Sequence, residues 1–337
     1  MASTLKDVAM LAGVHSSTVS RVLRGKENIP VSEETRQRIL EAVRQLNYRP
    51  DKTARALRMR KSDAVGLVIP NIASPYFSGI AKELDILCHN AGYSLMIYDT
   101  NENQEKEIVV IEDLLSRGVD GFVIAPVQDA DSHIRQLVEQ NIPLVLIDRD
   151  FETMETHAVI CDDEMSAYKA VSYLSDLGHK RIGFVSGRQN LYPVLKRLDG
   201  YRKGLNDFNL EKDPALIASG GPTLESGYAS TVNLLSLPNK PTALLVSGTI
   251  ITVGALKAIQ EKGLSIPEDV SIISYTDTIY APFLSTPITT ISHSVKEIAE
   301  KAFELLHQEI KTPTKGDVAK VIVQTHLYKR ASTAPAH

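Results

Sequence analysis

The sequence predicts an α/β protein with an N-terminal all-α helix-turn-helix head and a two-lobed body of doubly wound parallel sheets. Three observations support this class. Two short helical segments flank a Gly-containing turn near the N-terminus, apolar strands alternate with amphipathic helices from residue 64 onward, and a basic end precedes an acidic body. The strand–helix alternation extends over about 270 residues, which is more than a single hydrophobic core usually supports, so we expect two lobes.

The head has the capping and periodicity signals of three helices. Thr4 begins the first helix, with Asp7 in capping-box spacing, and its periodic apolar residues are Val8, Leu11 and Ala12. After a turn at Gly13, the second helix starts at His15 and places inward Val19, Val22 and Leu23. Ser32 caps a third helix whose stripe is Ile39, Val43 and Leu46. The second helix of such a pair normally lies in the DNA major groove, so we expect a DNA-binding head.

Charge is distributed asymmetrically along the chain. Residues 1–61 hold 13 Lys/Arg and 6 Asp/Glu, a balance of +7, whereas the remaining 276 residues hold 24 and 35, a balance of −11. This distribution fits a polyanionic partner for the head alone. The alternative is an ordinary solvated patch. The basic segment 51–61 is too short for a stable isolated helix, so we interpret it as a linker ordered only when something holds it.

The body contains two series of predicted strands separated by helices of about 10–15 residues. The first series is Val65–Pro70, Ser94–Tyr98, Gly121–Ala125 and Leu144–Ile147, and the second is Ile182–Ser186, Leu216–Ala218, Ala243–Ser247 and Ser271–Ser274. Ligands of such folds bind beyond the carboxyl ends of the strands. Those ends fall at Asn71, Asp99, Pro126, Asp148, Gly187, Gly248 and Thr276.

Several classes of site are not indicated by the sequence. Cys88 and Cys161 lie in apolar segments and are expected to be buried, reduced thiols. We find no metal-ligand spacing, Gly-rich phosphate loop, nucleophile elbow or paired-carboxylate motif, and therefore expect no metal, no cofactor and no enzyme activity. No apolar signal region or membrane-length run is present, which favours a cytoplasmic protein without a membrane partner. The tail 331–337 is expected to be disordered.

Ordered motifs along the chain resemble one known family. The head segments are TLKDVAMLAGV, TVSRVL and SEETRQRILEAVRQLNYRP, and the body segments are VGLVIP, GVDG, LIDR, LGHKRI, RLDGY, IPEDVS and PITTI. They resemble the lactose repressor/galactose repressor family of bacterial transcriptional regulators from residue 4 to about 330. The resemblance implies a head, a hinge helix and a body similar to periplasmic sugar-binding proteins.

The resemblance also implies the domain limits and the assembly. The chain should cross between lobes near residues 162, 292 and 324, and the protein should be a homodimer, since no C-terminal heptads of a tetramer are present. The implied domains are the head 1–48, the hinge 49–62, the N-terminal lobe 63–162 and 293–324, the C-terminal lobe 163–292 and 325–332, and a disordered tail 333–337.

In this family the recognition helix reads DNA bases, which implies base contacts from Ser16, Ser17 and Arg21. Phosphate contacts are implied for Thr18, Ser32, Thr35 and Tyr48. For the serines the alternative is a simple surface face. His15 departs from the usual family Ser, so the cap is weaker or the imidazole contacts phosphate. Leu57, flanked by Arg55 and Arg58, matches the hinge leucine that wedges into the minor groove, although a plain basic linker is the alternative.

The effector-binding residues implied by the resemblance are Tyr76, Phe77, Asp148, Arg149, Arg197, Thr249 and Thr276. Core packing is the alternative for the two aromatic residues. The family commonly has Asn-Asp in place of Gly248-Thr249 and an acid in place of Thr276. Because two acids are lost while two arginines remain, an anionic effector, such as a sugar acid or sugar phosphate, is one hypothesis. A neutral sugar held in another way is the other.

The function expected from these observations is a ligand-responsive, sequence-specific DNA-binding regulator, most simply a repressor. It would control a carbohydrate or sugar-acid operon through a near-palindromic double-stranded operator and a small-molecule effector. A solute-binding protein of a transporter is the alternative from another class. The basic head and the absence of a signal region argue against that alternative.

Overall fold

The computed structural model describes residues 3–23, 31–48, 62–312 and 318–336. The chain divides into two compact units, residues 1–62 and 63–337. The predicted hinge residues Arg55, Leu57 and Arg58 lie outside the described residues, so their roles stay predictions. Within the described ranges, no helix combines the length and the apolar composition that crossing a membrane requires.

Within residues 3–23 and 31–48, the first unit contains three helices, which are α1 (Leu5–Ala12), α2 (Ser16–Val22) and α3 (Glu33–Gln45). Thr4 and Asp7 form the predicted capping box, and Gly13 ends α1 in the left-handed conformation with φ 65°. The three helices bury a shared core of Val8, Ala9, Ala12, Val19, Val22, Ile39 and Ala42. Leu11, which belongs to the periodic apolar set of α1, is 48% exposed, because α1 turns Ala9 rather than Leu11 towards this core.

The second unit contains two six-stranded sheets with helices on both faces. The strands are β1 (Ala64–Ile69), β2 (Ser94–Asp99), β3 (Gly121–Ile124), β4 (Leu144–Ile147), β5 (His157–Cys161), β6 (Ile182–Ser186), β7 (Ile217–Ser219), β8 (Ala243–Val246), β9 (Ser271–Tyr275), β10 (Thr289–His293), β11 (Lys320–Val323) and β12 (Thr325–Tyr328). The helices are α4 (Pro75–Asn90), α5 (Gln104–Ser116), α6 (Ser132–Glu139), α7 (Asp163–Asp176), α8 (Tyr192–Asp207), α9 (Leu224–Leu235), α10 (Thr249–Glu261) and α11 (Val295–Lys311).

The two sheets define two lobes. The N-terminal lobe has the strand order β11-β5-β4-β3-β1-β2, all parallel, and the C-terminal lobe has the order β12-β10-β9-β8-β6-β7, in which only the β10–β12 pair is antiparallel. The chain passes between the sheets after β5, after β10 and between β11 and β12. The fold class is thus confirmed. The lobe limits expected from the resemblance are compatible with these passages and remain a proposal.

The strand expectations were mostly right but missed four members. β5, β10, β11 and β12 were not recognised, because each lies beside a chain passage rather than in a regular strand–helix repeat. The expected strand Leu216–Ala218 begins one residue later, since Pro214–Leu216 form a turn of 3₁₀ helix.

Two pairs of helices in the C-terminal lobe pack closely against each other at glycine residues. A Cβ on Gly200 would lie 1.9 Å from the Glu164 carbonyl oxygen, and one on Gly254 would lie 2.1 Å from that of Leu224.

The expectation of a disordered tail was wrong for residues 331–336. Ser332 is fully buried, accepting a hydrogen bond from the Thr289 amide at 2.8 Å and donating one to the Ile272 carbonyl at 2.7 Å. The Ala336 amide donates to the Leu177 carbonyl at 2.8 Å. The composition is that of a loop, but these small residues satisfy backbone groups beside β9 and β10 that would otherwise be buried unpaired.

Candidate functional site

The exposed face of α2 carries the predicted base-contacting side chains. Ser17 and Arg21 are four residues apart and both exposed, so they share one helix face, and the Arg21 Nε donates to the Ser17 carbonyl at 3.3 Å. Ser16 and Thr18 are half-buried. An exposed serine and arginine on one face of a recognition helix can donate to base edges, so the prediction for these residues stands untested.

His15 is the N-cap residue of α2. Its Nδ1 accepts a hydrogen bond from the Ser17 amide at 3.2 Å and lies 2.8 Å from the Ser17 hydroxyl. The imidazole therefore replaces the oxygen that a serine would supply to the first helical turn. The helix thus keeps a side-chain cap at this position, and both the strength of that cap and the phosphate contact remain predictions.

The other predicted phosphate positions have local structural roles. The Ser32 hydroxyl accepts from the Thr35 amide at 3.2 Å as the cap of α3, and Tyr48 packs half-buried against the head core. Neither role excludes a contact with phosphate, because Ser32 and Tyr48 both keep part of their surface exposed. The phosphate-contact predictions for these residues remain open.

A cavity of about 400 Å³ lies between the two lobes of the body. The N-terminal lobe lines it with Asn71, Tyr76, Phe77, Glu102, Asp148 and Arg149, and the C-terminal lobe with Arg188, Leu191, Val194, Arg197, Ser247, Thr249, Ile251 and Thr276, among others. His293 lines it from the end of β10. All seven residues predicted to bind an effector line this cavity, so the structure brings them together, although no contact with a ligand tests their role.

Arg197 is a buried cation whose charge has partners inside the protein. Its Nε donates to Asp163 Oδ1 at 2.7 Å and its Nη1 to the Ser247 carbonyl at 3.0 Å, while the guanidinium lies 4.1 Å from the centre of the Tyr275 ring. His293 Nε2 lies 3.4 Å from Arg197 Nη2 and 3.5 Å from Asp163 Oδ1. The guanidinium is therefore neutralised inside the protein before any effector binds.

Arg149 is neutralised in the same way on the opposite lobe. Its two terminal nitrogens donate to Glu102, at 2.5 Å and 3.0 Å, and one of them also donates to the Pro126 carbonyl at 2.9 Å. Its Nε is 3.6 Å from Asp148 Oδ2 and makes no hydrogen bond. Asp148 and Glu102 both adopt left-handed backbone conformations, with φ 63° and 55°, which non-glycine residues rarely do and which often mark functional sites.

These pairs bear on the anionic-effector hypothesis, which no ligand contact tests, because they compensate the charge of the lining arginines. Although acids are missing from the ends of β8 and β9, Glu102, from the loop after β2, pairs with Arg149, and Asp163, at the start of α7, pairs with Arg197. The third lining arginine, Arg188, donates to Asp129. Among the described lining residues, each arginine thus has a carboxylate partner. The sequence pattern could not reveal this compensation, because the paired residues are 34 to 59 positions apart.

Two other residues of the site were missed for an identifiable reason: His293, which lines the cavity, and Asp163, which pairs with the lining Arg197. Asp163 lies two residues beyond β5 and His293 ends β10, and both strands were absent from the sequence prediction. The rule that ligand sites lie at the carboxyl ends of strands would have pointed to both residues. Asp277, which occupies one of the family's acidic positions, instead pairs with Arg330 at 2.8 Å and does not line the cavity.

Two carboxyl groups beside the cavity have opposite pKa shifts. Burial by itself raises the pKa of Asp163, but Arg197 and His293 outweigh burial, so that the pKa lies below the ordinary value. Burial also raises the pKa of Asp148, and there Arg149 offsets the effect only in part, so the pKa stays above the ordinary value. Asp163 is thus a stabilising anion, whereas the Asp148 charge is held at a cost to stability.

We expect Asp163→Asn to lower the free energy of unfolding by about 3–5 kcal/mol, because it leaves Arg197 buried without a counter-charge. Asp148→Asn should raise it by about 0.5–2 kcal/mol, because it removes a poorly solvated charge. Denaturant titration of the full chain between about pH 3 and pH 8 measures both effects.

The two variants should also differ in pH dependence. The Asp163 contribution is present above the ordinary carboxyl pKa of 3.8 and is lost as pH falls through the lower, folded value. The Asp148 penalty is full at neutral pH and disappears as pH falls through the raised, folded value towards 3.8. Effects of the same sign in both variants would contradict this assignment.

Comparison with known proteins agrees with both parts of the structure. Residues 4–51 match bacterial regulatory proteins of the lacI family, and residues 171–333 match the periplasmic binding protein-like domain. The HTH-type transcriptional repressor PurR of Histophilus somni (strain 129Pt) is 32% identical over 309 residues, which cover 91% of this chain and 92% of the relative. The ribose operon repressor of Haemophilus influenzae (strain ATCC 51907 / DSM 11121 / KW20 / Rd) is 32% identical over 331 residues, which cover 98% of each.

Among solved structures, the Lac repressor dimer bound to operator and the anti-inducer ONPF matches with a TM-score of 0.87 at 25% identity. The match covers 99% of this chain and 100% of that one. The head, the two-lobed body and these similarities agree with a regulator of transcription and not with an enzyme. The chain belongs to the lacI family of bacterial regulatory proteins.

Proposed function

We propose that this regulator represses a carbohydrate operon and that its effector is a neutral polyhydroxylated molecule such as a sugar. The single observation that carries the effector class is the pairing of the lining arginines with Glu102, Asp129 and Asp163. An anionic effector would have to displace one of these carboxylates or add a further negative charge beside Asp148. A neutral ligand avoids both costs.

Three polar atoms of residues that line the cavity have no hydrogen-bond partner, which supports a neutral, polyhydroxylated effector. Ser247 Oγ, His293 Nδ1 and Arg149 Nε are buried and make no hydrogen bond within the protein. They line a cavity whose walls are otherwise partly apolar, including Phe77 and Val194. Hydroxyl groups both donate and accept, so a polyol has the chemistry to pair with donors and acceptors of this kind. The ribose operon repressor is named for a sugar operon, which is in line with this proposal.

The effector class is tested by a thermal-shift screen of sugars, sugar acids and sugar phosphates on the full-length chain. Binding to the native state raises stability by mass action, so we expect a sugar to raise the melting temperature more than its acid or phosphate counterpart. A shift produced only by the anionic members would overturn the proposal.

Ser247→Ala should weaken binding of the sugar found in that screen by about tenfold, because a hydrogen bond to the effector is worth roughly 1 kcal/mol or more. Ser186→Ala is the matched control, since Ser186 is also buried with an unpaired hydroxyl but does not line the cavity. Calorimetric titration of both variants measures the effect. Equal affinities for Ser247→Ala and the control would remove Ser247 from the effector site.

The DNA-binding proposal places Ser16, Ser17 and Arg21 at base edges of a near-palindromic operator. Arg21→Ala should cost about 1–3 kcal/mol of operator affinity and relax the base preference at one position in each half-site. Arg44→Ala, on α3, is the control for loss of charge and should leave the base preference intact. Gel-shift selection on DNA flanking the gene measures both. An unchanged preference in Arg21→Ala would exclude Arg21 from base reading.

We further propose that the regulator is a homodimer and that one part of the interface is an apolar patch after β9. Ile279 is 91% exposed and Phe283 is 85% exposed, with Tyr280 and Leu284 exposed beside them. Exposed apolar side chains clustered in this way mark association surfaces. The solved Lac repressor is described as a dimer, which supports the proposal.

Phe283→Asp should therefore shift the protein from dimer to monomer in sedimentation velocity, because it buries a charge in the apolar contact. Val109→Asp is the control, since Val109 is an exposed valine on α5 of the other lobe, away from this patch. Retention of the dimer by Phe283→Asp would place the interface elsewhere.

A further inference from the structure

We infer that the two lobes are held together, without any effector, by a clasp formed by Gln128 and Asp129 of the N-terminal lobe and Arg188 and Tyr192 of the C-terminal lobe. The inference deepens the proposed function and rests on it, because the clasp lies beside the effector cavity and controls its closure. It concerns the ligand-free protein and can be tested without an effector.

The clasp begins with a helix end that its own sequence cannot cap. The N-cap residue of α8 is Leu191, which offers no side-chain acceptor, and Pro193 lacks an amide hydrogen. The amide of Tyr192 is therefore an orphan donor. Its acceptor is Gln128 Oε1, from the opposite lobe, at 2.6 Å. A helix of the C-terminal lobe is thus capped by a side chain of the N-terminal lobe.

Gln128 is held in place for this role by its second polar atom. Its Nε2 donates to the Asp150 carbonyl at 2.8 Å within the N-terminal lobe. Both ends of the amide are therefore used, and the side chain is directed across the cleft. Separation of the lobes would leave the Tyr192 amide to solvent and would free one end of Gln128.

An ion pair closes the cleft beside this cap. Arg188 Nη2 donates to Asp129 Oδ1, and Asn190 Nδ2 lies 3.4 Å from the same oxygen. Arg188 is 24% exposed and Asp129 is 46% exposed, so the pair is screened by salt. Lys196 and Glu152 add a more exposed contact between the lobes at 2.7 Å. Each ion pair alone contributes little free energy to closure. The contributions of several contacts add together, because all of them act on the same equilibrium between closed and open lobes.

The clasp is connected to the cavity on both sides. The loop that carries Gln128 and Asp129 also supplies the Pro126 carbonyl, which accepts from Arg149. On the other lobe, α8 carries Arg197, and Arg188 itself lines the cavity. The clasp thus sets the separation of the two arginine clusters. Any effector would bind to a cleft that is already biased towards closure.

The test is hydrogen–deuterium exchange of the ligand-free, full-length protein, followed at the Tyr192 amide by fragmentation mass spectrometry. Gln128→Leu should speed exchange of this amide by about tenfold, and Asp129→Asn or Arg188→Gln by about threefold, because opening exposes the orphan donor. The double variant Asp129→Asn/Arg188→Gln should exceed neither single variant by more than a small factor, since both remove the same pair.

Asp131→Asn is the matched control, because Asp131 pairs with Arg135 at 2.5 Å within one lobe and lies in the same loop region. It should leave exchange at Tyr192 unchanged. Raising the NaCl concentration should speed exchange more in the wild type than in Arg188→Gln, which keeps only the Lys196–Glu152 pair between the lobes. Gln128→Leu removes the acceptor itself, so the deciding variants are those of the ion pair: Tyr192 exchange at the wild-type rate in both Asp129→Asn and Arg188→Gln would overturn the inference. That result would leave sugar binding intact, and a failed sugar screen would equally leave the clasp intact.

Discussion

The buried ion pair between Arg197 and Asp163 is the contact on which the cavity and the lobe passages both depend. A guanidinium that lines a cavity inside the protein must be compensated, since an unpaired buried charge costs several kcal/mol. Asp163 supplies that compensation from the first residue of α7, where the chain passes from one sheet to the other. His293, at the second passage, lies against the same carboxylate. The third passage, between β11 and β12, is bonded to the residue before Asp163, because the Thr325 amide donates to Asp162 Oδ1 at 2.8 Å.

This arrangement links chemistry and mechanics at one place. The residues that neutralise Arg197 belong to the segments about which two lobes of such a body rotate. Binding in the cavity therefore acts on groups that lie at these passages between the lobes. In a regulator, effector and DNA affinity are linked by a reciprocal coupling free energy, typically about 1–3 kcal/mol. A few hydrogen bonds at the passages and across the cleft are enough to supply a coupling of that size.

The electrostatics of the cavity show why single positions mislead. The sequence displays two arginines and the loss of two family acids, a pattern that favours an anion. In the folded chain Glu102 and Asp163 occupy the space beside those arginines, so the local charge is close to balanced. Charge complementarity is a property of the assembled site, and it can be kept while the acids move to other elements.

Local signals in the sequence determined a large part of this protein. The capping box at Thr4, the turn at Gly13 and the cap at Ser32 are short-range features, so the sequence alone predicted the head. Alternating strands and helices determined the doubly wound body for the same reason, and the family motifs identified the class of regulator. The rule for strand ends correctly placed Asp148, Gly248 and Thr276 together, and all three line the cavity.

Only the tertiary structure decided which groups meet. Four contacts show this, and each joins residues 34 to 64 positions apart. They are the hydrogen bonds of Arg149 with Glu102, of Arg197 with Asp163, of Thr289 with the buried Ser332, and of the first amide of α8 with Gln128. Neither periodicity nor propensity carries information on such pairs, because both act within a few residues along the chain. Their formation depends on burial, which makes an unpaired polar group costly and so selects the partner that the fold places nearby.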